Sequence, residues 1–206
     1  MILLGLLQKI LGKTKKISVR IGIFGEVGAG KTTLANYLTK NYIGIEAGKV
    51  TGVPHETRRV QEVENVVIRR NGKELHLTIV DTPGLATYID YREFMKYGLS
   101  ETEAIQRAKE ATKGVIEALR ELDNVDVAVV VVDSTKVPFN QINIMLIGNL
   151  EIRKIPFVIA ANKIDRSDAK PEIFKEVFSN KPVVPISALT GENIDELLDE
   201  ISRRLR

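Results

Sequence analysis

The sequence predicts a three-layer α/β fold, with helices on both faces of a mostly parallel sheet that includes one antiparallel hairpin strand. Short apolar runs alternate with segments of helical spacing, which is typical of parallel strands joined by crossover helices. One run, Val125 to Val132, is almost entirely apolar, as expected of a strand buried on both faces. Asn71-Gly72 joins two β-type runs, and this dipeptide is a strong hairpin signal.

Hydrophobic periodicity gives the individual elements in order. We expect strands at residues 19–24, 63–70, 74–80, 125–132, 156–161 and 182–186. We expect helices at residues 31–42, 100–122, 142–150, 171–178 and 193–205. The second of these helices begins with Ser100-Glu101-Thr102-Glu103, a capping-box pattern. The polar segment 44–59 predicts a loop.

Composition excludes several classes of protein. The 206 residues contain no cysteine, which rules out disulfides, thiolate catalysis and cysteine-bound zinc. The net charge of +3 is too small to indicate nucleic acid, and we find no other sign of it. No stretch approaches the ~20 apolar residues that span a bilayer, and the first residues lack the features of a signal peptide. We therefore expect a cytoplasmic protein.

A glycine-rich segment follows the first expected strand. GEVGAGKT, from Gly25 to Thr32, fits G-x-x-x-x-G-K-[ST] and lies between a strand and a helix, as that phosphate-binding loop requires. A turn without function is the alternative, and the Lys-Thr pair at the required place argues against it. Lys31 is expected to reach the β- and γ-phosphates and Thr32 to bind magnesium. The expected nucleotide contacts in this loop are Glu26, Val27, Gly28, Ala29, Gly30, Lys31, Thr32 and Thr33.

Three further motifs follow other expected strands, and ligands of parallel sheets bind at such strand ends. In DTPG, Asp81 can hold magnesium through water, and the Gly84 N–H can meet a γ-phosphate. In NKID, the Asp165 carboxylate can accept two hydrogen bonds from guanine. In SAL, the Ala188 N–H can donate to guanine O6. The expected base contacts are Asn162, Lys163, Asp165, Ser187, Ala188 and Leu189.

All four motifs in this order resemble the P-loop GTPase family, and PHETRR resembles the first switch loop of its Era and TrmE-like group. The resemblance covers the chain from about Val19 onward. It implies GTP or GDP and magnesium as cofactors. Thr57 is the best match to the switch threonine that binds magnesium, with Thr51 as the competitor. The implied catalytic residues are Lys31, Thr57 and Gly84, and the implied metal ligands are Thr32, Thr57 and Asp81.

The sequence departs from its relatives at several positions. Gly28 replaces an asparagine that helps to hold potassium in Era and TrmE-like proteins, so we expect no potassium activation. Ras-like proteins have glycine at Val27 and a catalytic glutamine at Leu85, and leucine cannot orient the attacking water. Era carries an RNA-binding KH domain after its G domain, and we expect none here.

Two segments lie outside the minimal domain. We expect residues 85–124 to form an enlarged second switch region, whose aromatic loop YIDYREFMKY contacts an unknown effector or activator, or a second copy of the chain. Residues 1–16 predict an amphipathic helix with a basic linker, preceding a GTPase domain at 17–206. That helix would either contact a membrane peripherally or pack on its own domain.

The sequence as a whole predicts a GTP-binding molecular switch that slowly hydrolyses GTP to GDP and phosphate with magnesium. As an enzyme it would be a GTPase that is slow without an activator. The alternative is a near-inactive domain that serves as a nucleotide-dependent scaffold or assembly module.

Overall fold

A six-stranded sheet with helices on both faces forms the part of the chain that the structure describes. The computed structural model describes residues 15–42, 60–70, 73–86 and 89–205. The strands are β1 (Lys15–Phe24), β2 (Gln61–Arg70), β3 (Lys73–Asp81), β4 (Val127–Asp133), β5 (Phe157–Asn162) and β6 (Val183–Pro185). The helices are α1 (Lys31–Tyr42), α2 (Tyr91–Met95), α3 (Glu101–Glu121), α4 (Gln141–Ile152), α5 (Pro171–Val177) and α6 (Ile194–Arg204), and a 3₁₀ turn (Leu122–Asn124) follows α3.

The strand order in the sheet is β2-β3-β1-β4-β5-β6. Only β2 and β3 pair in the antiparallel sense among the described strands, and their register places Arg70 opposite Lys73. The other neighbours pair in parallel. The α/β fold with one antiparallel pair is therefore confirmed, and the carboxyl ends of β1, β3, β4 and β5 meet at one edge of the sheet.

Two apolar clusters hold the layers together. On one face, α1 and α6 pack against alternate residues of the central strands, with Leu34 and Leu198 fully buried. On the other face, α3, α4 and α5 cover Phe24 and the remaining residues of β4 and β5. Every residue of β4 and β5 is buried, which explains why their apolar runs show no alternation.

The first strand is longer than the sequence predicts. It begins at Lys15, so Lys15 and Lys16 belong to the sheet rather than to the linker expected before residue 17. The extension is stabilised by pairing with β3, whose Glu74 also forms an ion pair with Lys16 at 3.7 Å. The pairing partner, rather than the local sequence, sets this strand end.

The segment expected as an aromatic loop contains a short helix. Tyr91–Met95 form α2, and the Asp90 side chain accepts a hydrogen bond from the Arg92 N–H at its first turn. The following helix agrees with the prediction, because Ser100 and Glu103 form both hydrogen bonds of a capping box. Tyr97 lies between the two helices and is 84% exposed.

Several predicted features fall outside the described residues. They are the N-terminal helix up to residue 14, the Asn71-Gly72 turn, and the two switch-loop candidates Thr51 and Thr57. Within the part that the structure describes, none of the helices combines the length and the apolar character needed to cross a membrane.

Candidate functional site

The phosphate-binding loop predicted from the sequence connects β1 to α1. Gly30 adopts a φ of +100°, and a Cβ on it would lie 2.2 Å from the Asn162 side-chain nitrogen. Glycine is therefore required here by both the backbone conformation and the close approach of β5. Ala29 is buried, whereas Val27, Gly28 and Thr33 face solvent at the surface of the loop.

Lys31 is the first residue of α1, and the residue is only 6% exposed. Its Nζ donates to the Glu26 carbonyl oxygen at 2.9 Å. Burial lowers the pKa of the Lys31 ammonium from 10.5 to about 8, although the Asp81 and Glu26 carboxylates oppose this effect. A buried cation of this kind favours an incoming anion, because an anion restores the charged form.

Thr32 and Asp81 bring two oxygen ligands together at the mouth of the loop. The Thr32 hydroxyl donates to Asp81 Oδ2 at 2.7 Å, and Asp81 is 4% exposed at the end of β3. Magnesium prefers such hard oxygen donors and is often completed by substrate phosphates. No cluster of three or more His, Cys, Asp or Glu side chains that could hold a metal by itself occurs among the described residues. The pair thus fits a magnesium ion that is shared with phosphate oxygens.

The DTPG segment packs directly against the phosphate-binding loop. Val27 N–H donates to the Leu85 carbonyl at 3.1 Å, and Leu85 N–H donates to the Gly25 carbonyl at 3.0 Å. A Cβ on Gly84 would lie 2.6 Å from Val27 Cγ2 and 2.8 Å from Val27 Cα. Leu85 itself is 1% exposed and points into the apolar cluster under α3. The leucine side chain therefore lies away from the loop surface.

Asn162 joins three of the predicted motifs. Its Nδ2 donates to the Ala29 carbonyl at 2.8 Å, and its Oδ1 accepts the Ala188 N–H at 2.9 Å. Asn162 is only 3% exposed at the end of β5. The Ala188 N–H that the sequence assigns to guanine O6 therefore already has an acceptor within the protein.

The predicted base-reading carboxylate is held by the serine of the SAL motif. The Ser187 hydroxyl donates to Asp165 Oδ1 at 2.6 Å and accepts the Thr190 N–H at 3.1 Å. Ser187 is fully buried, whereas Asp165 is exposed and Leu189 is 73% exposed. The buried Ser187 hydroxyl thus fixes Asp165 Oδ1, while the residue itself is exposed to solvent.

The sequence reasoning missed Asp133, which fixes the lysine of the NKID motif. Asp133 Oδ2 accepts a hydrogen bond from Lys163 Nζ at 2.6 Å, and Oδ1 accepts from the Thr135 N–H and hydroxyl. Burial raises the pKa of the Asp133 carboxyl, but the donors on Lys163 and Thr135 outweigh it, so that this pKa lies below its ordinary value. Asp133 ends β4 as the other motifs end their strands, so the same rule would have found it.

A second unexpected ion pair supports the phosphate-binding loop from behind. Lys136 Nζ lies 3.3 Å from Glu26 Oε1, and the Glu26 side chain is 14% exposed. Lys136 follows β4, so the ion pair ties the loop after this strand to the loop after β1. It leaves the Glu26 carbonyl oxygen to Lys31.

A cavity of about 460 Å³ opens beside the loop, between it and the helices α2 and α3. Lys31, Thr32 and Gly84 line one side, and Arg107 and Glu110 of α3 line the other. The structure thus brings together the described residues of all four motifs at one edge of the sheet, with the predicted Thr57 outside the described residues.

Comparison with known proteins agrees with this arrangement. Residues 20–163 match the family described as "50S ribosome-binding GTPase". The chain is 32% identical over 204 residues to the chloroplastic translation initiation factor IF-2 of Phaseolus vulgaris, covering 93% of this chain and 17% of that protein. It is 29% identical over 191 residues to GTPase Era of Ectopseudomonas mendocina, covering 90% of this chain and 54% of that protein.

A solved structure of Era in complex with MgGDPNP and a segment of 16S ribosomal RNA has the same fold. The TM-score is 0.65 at 22% identity, covering 94% of this chain and 58% of that chain. The chain thus spans about a sixth of the initiation factor and little more than half of Era. The match to a GTPase family confirms the cofactors predicted from the sequence, GTP or GDP with magnesium.

The motifs converge at one edge of a P-loop sheet, and the family match extends over most of that sheet. The chain therefore belongs to the 50S ribosome-binding GTPase family and contains a G domain of the Era-like type.

Proposed function

We propose that the chain is a molecular switch that binds GTP and hydrolyses it slowly without an activator, using magnesium. One observation carries the proposal: Asn162 ties the phosphate-binding loop to the base-binding segment through Ala29 and Ala188. Both ends of a guanine nucleotide would therefore meet residues whose relative positions are fixed. Membership of a GTPase family favours a hydrolase over the near-inactive scaffold that the sequence left open.

The proposed chemistry is attack of water on the γ-phosphorus. A bond from the water oxygen to phosphorus forms as the bond to the β–γ bridging oxygen breaks, and the electron pair leaves with GDP. The water protons pass to the released phosphate and solvent. Lys31 and the loop N–H groups would stabilise the charge that develops on the phosphate oxygens.

Magnesium, when bound, would neutralise phosphate charge and orient the γ-phosphate. Thr32 and Asp81 would hold it, because they already lie 2.7 Å apart with oxygen atoms facing one another. The predicted third contribution from Thr57 remains a proposal from the sequence. Gly28 has no side chain to coordinate potassium, so replacing sodium with potassium should leave the hydrolysis rate unchanged.

The guanine assignment is tested by exchanging the base-reading carboxylate. Asp165→Asn should weaken GDP binding and strengthen binding of xanthosine diphosphate, because the amide offers a donor where xanthine has a carbonyl. Ser187 can still donate to the remaining oxygen, so the loop should stay in place. The matched control is Asp168→Asn, because Asp168 is 56% exposed and pairs with Arg166.

Calorimetry with GDP, xanthosine diphosphate and ADP gives the outcome directly. Equal affinity of the wild type for ADP and GDP would overturn the assignment. The slow rate is tested separately by single-turnover hydrolysis with the protein alone. A rate as fast as that of activator-bound GTPases would contradict the proposal. If the protein shows no turnover at all, the nucleotide-dependent scaffold becomes the better explanation.

The partners of the chain are proposed from the sequence alone. We propose that residues 85–124 contact an effector, an activator or a second copy, and that residues 1–14, which precede β1, contact membranes peripherally. Pull-down with GTP- and GDP-loaded protein tests the first proposal, and flotation with anionic liposomes tests the second. The RNA in the Era complex is a property of that protein, and our proposal is limited to the guanine nucleotide.

A further inference from the structure

The cavity beside the phosphate-binding loop contains a cation that none of the predicted motifs includes. Its volume is about 460 Å³, and its walls come from the loop, the DTPG segment, α2 and α3. Lys31 and Arg107 are the two cationic side chains among the described residues that line it. Lys31 comes from the loop side and Arg107 from the α3 side.

Three carboxylates of the described part of the chain also line the cavity. Glu110 of α3 accepts a hydrogen bond from the Gln106 side-chain amide at 3.0 Å, whereas Asp90 and Glu93 form contacts that hold α2. Asp90 caps α2 and accepts hydrogen bonds from the Arg92 backbone N–H and side-chain Nε at 2.9 and 3.0 Å. Glu93 pairs with Lys96 at 2.6 Å. These contacts partly neutralise the two carboxylates, so they add less negative charge to the cavity than their number suggests.

Helix α3 holds the Arg107 backbone firmly. The helix begins with a complete capping box at Ser100 and buries Ala104, Gly114 and Ala118 against the domain. Arg107 and Glu110 are half-buried and lie one turn apart on the cavity side. The guanidinium is therefore presented from a fixed element rather than from a free loop.

A cation beside the γ-phosphate would add to the charge stabilisation that Lys31 and the loop N–H groups supply. Charge builds up on the γ-phosphate oxygens in the transition state, and a nearby arginine stabilises it by a large factor in other GTPases. Leu85 cannot stabilise this charge, because its side chain is apolar and is buried in the apolar cluster, where it is 1% exposed. Among the described residues, Arg107 is the cation that lines the cavity from the side of α3.

We propose that Arg107 acts in cis as a catalytic arginine, which contacts the γ-phosphate oxygens across this cavity. The inference rests on the proposed GTP hydrolysis and adds a residue to it. The guanidinium would bind the transferring phosphoryl group more tightly than it binds any part of GDP. Its contribution would therefore appear in the transition state and not in the affinity for the product.

The test compares Arg107→Ala, Arg107→Lys and a matched control, Lys113→Ala. Lys113 lies on the same helix and carries the same charge, but it is 72% exposed and pairs with Glu117. Two quantities are measured for each: the single-turnover rate of GTP hydrolysis, and the affinity for GDP with and without fluoroaluminate. Thermal unfolding verifies that each variant is folded.

We expect Arg107→Ala to bind GDP within about twofold of the wild type, since GDP lacks the γ-phosphate. Fluoroaluminate should no longer tighten GDP binding, and hydrolysis should slow by ~10²-fold or more. Arg107→Lys should recover part of the fluoroaluminate effect and part of the hydrolysis rate, because lysine retains the positive charge but lacks the planar guanidinium. Lys113→Ala should match the wild type in both.

Equal fluoroaluminate affinity and equal rates in Arg107→Ala and the wild type would overturn the proposal. A wild type that hydrolyses GTP but gains no affinity from fluoroaluminate would also overturn it. Failure of the wild type to bind or hydrolyse GTP would instead overturn the proposed function itself, so that the two failures are distinguishable.

Discussion

The side chain of Asn162 donates to the Ala29 carbonyl at 2.8 Å and thereby links the end of β5 to the phosphate-binding loop after β1. The two residues are 133 positions apart in the chain. The same amide accepts the Ala188 N–H, so one buried side chain fixes both halves of the nucleotide site. We therefore expect Asn162 to matter for stability even without nucleotide.

Asn162→Ala should lower the free energy of unfolding by roughly 2–4 kcal/mol, because it leaves the buried Ala29 carbonyl and Ala188 N–H without this hydrogen-bond partner. The appropriate control is Asn149→Ala, since Asn149 is a partly exposed helical residue with one hydrogen bond to the Met145 carbonyl. Urea unfolding of the nucleotide-free proteins measures both. If Asn162→Ala loses no more stability than Asn149→Ala, the link between the two segments contributes nothing.

The central strands could be predicted from the sequence, because strands that are buried on both faces are apolar almost throughout. β4 and β5 are apolar almost throughout, and every residue in them is buried. The start of β1 could not be predicted in this way, because Lys15 and Lys16 are extended only by their pairing with Lys73 and Glu74. Strand ends depend on a partner that is distant in the chain.

The site shows the same division. Motifs at strand ends predicted which segments meet, since the carboxyl ends of parallel strands share one edge. Contacts between side chains of different segments were not predictable, as the Lys163–Asp133 pair shows. Helix α2 was missed for another reason: five residues are too few for a periodic pattern, and its start depends on the Asp90 cap.

The affinity for GDP should depend on pH through Lys31. The pKa of this ammonium is about 8 in the nucleotide-free protein, because burial disfavours its charge. Bound phosphates favour the charged form and raise that pKa, so binding takes up a proton once the pH exceeds 8. Affinity should fall by about twofold between pH 7 and 8 and then more steeply, by up to about tenfold per pH unit.

Titration with a fluorescent GDP analogue between pH 7 and 9.5 measures this decline. Calorimetry at pH 8.5 in buffers of different ionisation enthalpy measures the proton uptake independently. Lys136→Ala is the control, because Lys136 pairs with the Glu26 side chain of the same loop and should leave the pH profile unchanged. Constant affinity up to pH 9.5 would contradict the assignment to Lys31.

Leu85 occupies the place of the Ras-like glutamine, but the structure predicts that restoring glutamine will not activate the enzyme. The Leu85 side chain is 1% exposed and lies in the cluster that contains Phe24, Ala118 and Leu122. Leu85→Gln would bury an amide without hydrogen-bond partners, at a cost of about 1–3 kcal/mol. We expect lower stability with no increase in the rate of GTP hydrolysis.

Thermal unfolding and single-turnover hydrolysis of Leu85→Gln test the two halves of this prediction. Ile152→Gln provides the stability control, because Ile152 is 84% exposed and the change should alter stability by no more than ~0.5 kcal/mol. A Leu85→Gln enzyme that is stable and faster than the wild type would show that residue 85 can reach the attacking water after all.

Arg20 of β1 connects three elements of the domain, namely β2, α3 and the 3₁₀ turn that follows α3. Its guanidinium donates to both carboxylate oxygens of Glu62 at 3.0 Å and to Glu121 at 2.9 Å, and its Nε donates to the Asn124 carbonyl at 2.9 Å. Glu121 is the last residue of α3. Arg20 therefore anchors the end of the helix that carries Arg107.

Arg20→Ala should lower the free energy of unfolding at pH 7 by about 2–3 kcal/mol, because hydrogen bonds to charged groups are lost together. Arg166→Ala is the control: Arg166 pairs with Asp168, and both side chains are 56% exposed, so little stability should be lost. Urea unfolding of both variants and the wild type gives the comparison.

The effect of Arg20 should also depend on pH in a defined direction. The hydrogen bond from Arg20 holds the pKa of the Glu62 carboxyl below its ordinary value, against the opposing effect of burial. A group with a lowered folded-state pKa stabilises the fold above its unfolded pKa, and this stabilisation is lost as the pH falls through the folded-state value. The difference in stability between the wild type and Arg20→Ala should therefore be complete at pH 7 and shrink steadily below about pH 4.3.

Urea unfolding at pH 7, 5, 4 and 3 measures this difference in stability. A difference that is as large at pH 3 as at pH 7 would show that Arg20 acts through packing of its aliphatic stem and its bond to the Asn124 carbonyl, and not through the carboxylates.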